Sequence, residues 1–63
     1  MAFRYIDKAL RKAGWVEVRI KGSHHMYKHE KFTVCVSVPD HGKESISTGV
    51  IKSIERATGL TFR

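Results

Sequence analysis

The 63-residue chain has one cysteine, one proline and only six acidic side chains. A lone Cys35 cannot close an internal disulfide, which excludes the stapled scaffold of small secreted domains. No apolar run approaches the roughly 18 residues of a membrane span. The opening MAFRYIDKALRKAG is charged throughout and lacks the apolar core of a signal peptide, so a cytoplasmic protein with no membrane partner is expected. Without repeats, low-complexity tracts or a linker, residues 1–63 read as one domain. A domain of this length buries only about 60% of the surface its unfolded chain exposes. Its core must be small, and a deep cavity for an organic cofactor is not expected. The chemistry should lie on the surface.

Basic charge is what the chain has in excess. Twelve Lys and Arg leave a formal charge of +6, which favours a polyanionic partner, nucleic acid ahead of a membrane surface. The plainer alternative is a basic surface that only keeps the protein soluble.

Phe3, Ile6, Leu10 and Ala13 recur at steps of three and four and predict an amphipathic helix that stops at Gly14. From Trp15 the period changes to two. Val16, Val18 and Ile20 alternate with Glu17, Arg19 and Lys21 as in a half-buried strand, which places Trp15 on the polar side. Gly22 supplies a turn, residues 23–29 continue as a second strand, and Phe32, Val34, Val36 and Val38 give a third ending at Pro39. Ser47 or Thr48 can cap a second helix that buries Val50, Ile51, Ile54 and Ala57 and stops at Gly59. The predicted fold is α+β, in the order helix, three-stranded antiparallel meander, helix. Both helices must cover one sheet face, leaving the other open.

Strand parity then separates the histidines. A two-residue turn at Lys21–Gly22 or Gly22–Ser23 puts Val18, Ile20, His25 and Tyr27 on the core side, and Arg19, Lys21, His24, Met26 and Lys28 on the open side. A turn at Glu30–Lys31 agrees, setting Tyr27 opposite Val34, His25 opposite Val36 and His24 opposite Ser37. A three-residue loop at Gly22 would swap the faces of the second strand.

On this reading His24 stands on an open face beside Arg19, Lys21 and Lys28, with Met26 and Cys35 nearby. Imidazoles titrate near neutral pH and serve as general acid or base, and flanking cations stabilise charge developing on a phosphoryl group. RNA carries its own nucleophile, the 2′-OH, so one acid/base group and good positioning can cleave it without a metal. His25 and His29 have the four-residue separation of a helical zinc pair, but on a strand four residues span about 13 Å, too far for two ligands of one ion.

His25 reads as a half-buried structural residue and as the alternative catalyst if the parity is reversed. His29 reads as solvent-facing, and His41 as a loop residue ahead of an RNA contact. Cys35 is expected to pack as a small hydrophobe. Trp15 and Tyr27 are expected mainly in the core, Trp15 being the better candidate for stacking on a base.

Four segments together resemble the HicA (YcfA-like) family of mRNA-interferase toxins over nearly the whole chain. They are Leu10-Arg11-Lys12-Ala13-Gly14-Trp15; Lys21-Gly22-Ser23-His24-His25 with Tyr27 and His29 following; Val38-Pro39-Asp40-His41-Gly42-Lys43-Glu44; and Gly49-Val50-Ile51-Lys52-Ser53-Ile54 with Gly59-Leu60 closing. Two positions depart from the family pattern: Asp40 brings a negative charge beside His41, and Val50 stands where a threonine commonly follows the glycine. The resemblance implies a double-stranded-RNA-binding-like fold, cleavage of mRNA by the histidine of Gly-Ser-His, here His24, and neutralisation by a HicB-type antitoxin. The residues expected to contact RNA are Arg19, Lys21, Gly22, Ser23 and Lys28, with no metal and no cofactor. The competing functions are a non-catalytic RNA-binding module of the same fold and a pure protein-interaction domain.

Overall fold

A computed structural model describes residues 1–40, 42 and 45–62; His41, read as a loop residue, lies outside them. The first apolar stripe forms helix α1, Phe3–Lys12, with Ile6 and Leu10 fully buried and Phe3 and Ala13 packed against the core. Arg11 and Lys12 occupy its last turn, where cations complement the helix dipole. Gly14 follows at φ +98°. The strands β1 (Val16–Lys21), β2 (His24–Lys28) and β3 (Val36–Pro39) form one antiparallel sheet in the order β1-β2-β3, and α2 (Thr48–Thr58) closes the chain. The α-β-β-β-α order of the sequence reading therefore holds.

Lys21 pairs with His24, so the first turn is Gly22–Ser23, with Gly22 at φ +60°. A bulge then corrects the reading of β1. Arg19 pairs with Met26 but Glu17 pairs with Tyr27, leaving Val18 without a partner. One unpaired residue reverses the parity of everything before it. Val16 therefore falls opposite Lys28 on the open face, and Trp15, which alternation alone placed on that face, lies in the core at 2% exposure, the role favoured for it as an aromatic. Val16, Val18 and Ile20 are all exposed, contrary to the core role their alternation suggested. Ile20 does share the face of His25 and Tyr27, but on an edge strand outside the packed core.

The second hairpin is also corrected, by two residues. Tyr27 pairs with Val36, His25 with Val38, Met26 with Ser37 and His24 with Pro39. Residues 29–35 form a long connection instead of a turn at Glu30–Lys31, because Phe32 leaves the strand pattern to pack on Trp15, ring centroids 4.8 Å apart. Val34 and Cys35 are exposed on this connection, so Cys35 is not the packed hydrophobe it was expected to be. A shift of two preserves the period of a strand, so every side chain of β2 keeps its expected face.

Ser47 caps α2, accepting a hydrogen bond from the Val50 N–H at 3.4 Å, and Gly59 ends it at φ +76°. Ile54 is buried, and Val50 and Ile51 are half-buried. Ala57, expected inside, is exposed; Thr58 is buried in its place, donating its hydroxyl to the Ile54 carbonyl at 2.8 Å. Trp15, Tyr27, Val36, Val38, Ile46 and Ile54 join Ile6 and Leu10 in one core beneath the helices. Among the described residues, no helix is long and apolar enough to cross a membrane.

Candidate functional site

On the open face the pairing lays side chains in cross-strand rows. Lys21, His24 and Pro39 make one row, and Arg19, Met26 and Ser37 the next. Adjacent backbones lie about 4.8 Å apart within a row. Arg19, Lys21, His24, Met26 and Ser37 line a shallow depression of about 250 Å³. Among the described residues the lining carries two cations, one imidazole and no carboxylate, so its field favours an anion. His24 is exposed, and among the described residues no hydrogen bond or ion pair engages its ring.

The Gly22–Ser23 turn presents this histidine. No atom lies within 4 Å of a Cβ built on Gly22, so its positive φ, rather than crowding, calls for glycine there. The Ser23 carbonyl accepts the Asp40 N–H at 2.7 Å and fixes the turn against the end of β3. Of the expected RNA contacts, Arg19 and Lys21 meet His24 in the depression, and Gly22 and Ser23 border it in the turn. Lys28 shares the face but stands four residues away along β2, about 13 Å, and does not line it.

His25 points to the helix side. Its Nδ1 lies 2.9 Å from Glu17 Oε1, its Nε2 3.7 Å from Asp40 Oδ2, and its ring packs against Phe3 at 4.5 Å. Asp40 thus turns its charge toward His25. Glu17 also binds Arg11 Nη2 at 3.1 Å, and Arg11 Nε binds Asp7 at 2.9 Å. Tyr27, buried in the core, donates its hydroxyl to the same Asp7 oxygen. Burial pushes the Tyr27 phenol far above its ordinary range, and the Asp7 hydrogen bond pushes the same way. The hydrogen bond to Asp7 likewise raises Arg11. In the sequence only Asp7 and Arg11, four apart on a helix, hinted at this network. The bulge that turns Glu17 inward left no such signal.

His29, expected in solvent, is structural. Its Nδ1 accepts the Lys31 N–H at 3.0 Å and its Nε2 donates to the Ala13 carbonyl at 3.1 Å, which selects the neutral Nε2–H tautomer. The ring stands edge-on to Trp15 and Phe32 at 5.2 and 5.1 Å. Among the described residues, no three His, Cys, Asp or Glu side chains gather where one ion could bind them.

The face therefore offers an unengaged imidazole with two cations on a surface open to a long ligand. A family model described as the HicA toxin of bacterial toxin-antitoxin matches residues 3–60. No curated protein matches the chain.

Proposed function

The chain belongs to the HicA toxin family, matched over residues 3–60, and from that premise we propose that it is a metal-independent endoribonuclease that cleaves mRNA in the cytoplasm, with His24 as the acid/base catalyst. The carrying observation is the exposed His24 ring, among the described residues free of protein partners and set in a depression charged by Arg19 and Lys21. In the proposed reaction His24 takes the proton of a ribose 2′-OH. The oxygen attacks the adjacent phosphorus, the P–O2′ bond forms and the P–O5′ bond breaks. The departing 5′ oxygen receives a proton from His24, which returns the ring to its starting state. The products are a 2′,3′-cyclic phosphate and a 5′-hydroxyl. Lys21, in the row of His24, stabilises the charge that builds on the phosphoryl oxygens, Arg19 holds a neighbouring phosphate one row away, and the Gly22–Ser23 turn holds His24 at the surface.

As the toxin of a toxin-antitoxin family, the protein works against a paired antitoxin. The cationic depression suits an acidic HicB-type protein that covers the face and occludes His24. Incubating RNA with the protein in EDTA, with mapping of the product ends, tests the activity. Cyclic phosphate ends with the native protein and none with His24→Ala are expected. Salt-sensitive RNA binding by both proteins with cleavage by neither would instead make the domain a binding module.

A further inference from the structure

The two rows of the depression differ in chemistry. Beside the row that carries Lys21 and His24, the second row sets Met26 at its centre, half-buried, between the Arg19 guanidinium on β1 and the Ser37 hydroxyl on β3. Cleavage of a phosphodiester requires neither a thioether nor this hydroxyl. The rows lie two residues apart along β2, about 7 Å. That is roughly twice the ~3.4 Å that one nucleotide advances in a stacked strand. A strand whose phosphate lies at His24 and whose next nucleotide reaches the second row is unstacked between them, so that base is free to turn onto the sheet. A polarisable sulfur suits the face of an aromatic base, and a hydroxyl that both donates and accepts suits its polar edge.

We propose that Met26, Ser37 and Arg19 form a base-binding subsite for the unstacked nucleotide next to the scissile phosphate of a single-stranded RNA. Met26 bears on the face of the base, Ser37 reads its edge, and Arg19 pairs with its phosphate. Among the described residues the lining is positive and holds no carboxylate, which selects a polyanion. The subsite rests on the cleavage reading for the position of the scissile phosphate, but its occupation does not require His24 to act.

The test uses a short RNA oligonucleotide that is 2′-O-methylated at every sugar and cannot be cleaved by 2′-OH attack. A single abasic nucleotide is walked along it, and affinity is measured at fixed salt. At one position, removal of the base is expected to weaken binding to the native protein roughly 2- to 10-fold, the range of a lost sulfur–aromatic contact. Met26→Ala is expected to lose a similar factor on the intact oligonucleotide and little more at that abasic position. Ser37 is exposed, so Ser37→Ala should fold normally and alter base preference at that position alone. Losses that multiply independently at every position, or native binding indifferent to every abasic site, would overturn the subsite and leave Met26 to a protein partner. Equal cleavage of unmodified RNA by the native protein and His24→Ala would overturn the catalytic reading while leaving the Met26 coupling intact.

Discussion

Replacing Gly14 by alanine tests how the start of β1 is held. Gly14 has φ +98°, where a residue with a Cβ pays about 1–3 kcal/mol. A Cβ there would lie 2.8 Å from His29 Nε2. The ring cannot simply swing away. Nε2 is bonded to the Ala13 carbonyl at 3.1 Å, Nδ1 to the Lys31 N–H at 3.0 Å, and Trp15 and Phe32 flank the ring. Relief of the clash breaks the Ala13 bond, worth about 1 kcal/mol. The sum, about 2–4 kcal/mol, is a large part of the roughly 3–9 kcal/mol typical of a chain this long. Thermal unfolding followed by circular dichroism should show a fall of roughly 10–30 °C, at about 4–8 °C per kcal/mol for a small domain. In a His29→Ala background the steric part vanishes and only the backbone part remains. Equal losses in the two backgrounds would refute the contact, and a loss below about 0.5 kcal/mol would refute the backbone cost.

Tyr27→Phe removes the hydroxyl bound to Asp7 and should cost about 1–2 kcal/mol in urea unfolding at neutral pH. Because the folded phenol holds its proton above the ordinary value, the stability that Tyr27 contributes should be full below pH ~10 and be lost as pH rises through it, where the unfolded chain ionises first; Tyr27→Phe should flatten that alkaline limb. Ser47→Ala should cost about 0.5 kcal/mol, the low end for a helix cap given its 3.4 Å hydrogen bond, as read by denaturant midpoint. Arg19→Ala and Lys21→Ala should each lower the slope of log affinity against log salt by about 0.7 for single-stranded RNA, while Lys12→Ala, on the helix away from the depression, should leave it unchanged.

Much of this structure was legible because periodicity survives local error. Ile6 and Leu10 mark one stripe of α1, and the alternation of β2 depends only on its own backbone. The placement of His24 beside Arg19 and Lys21, with His25 on the reverse face, followed from the Gly22 turn. What escaped were events that change parity or register without a compositional signature. The unpaired Val18 has the residue type of an ordinary strand position, yet it sends Trp15 inward and Val16 outward. Phe32 fits the alternation of β3 in sequence but gains more by packing on Trp15 and His29. His29 looked exposed because its partners, the Ala13 carbonyl and the Lys31 amide, are backbone groups that no side-chain pattern reveals. Ile46 joins the core from a segment without periodicity, tied by its N–H to the Met1 carbonyl at 2.8 Å.

The role of His24 is tested most directly by the single-turnover rate of RNA cleavage by His24→Ala relative to the native protein, both in EDTA and both shown to unfold at the same temperature. The His24 ring is exposed and among the described residues makes no hydrogen bond, so its removal should leave stability unchanged. A rate lower by about 10²–10⁴, the contribution of one general acid/base group, is the expected result. A rate within about threefold of native would contradict it, because acid/base catalysis by this ring could then supply no more than a small share of the acceleration.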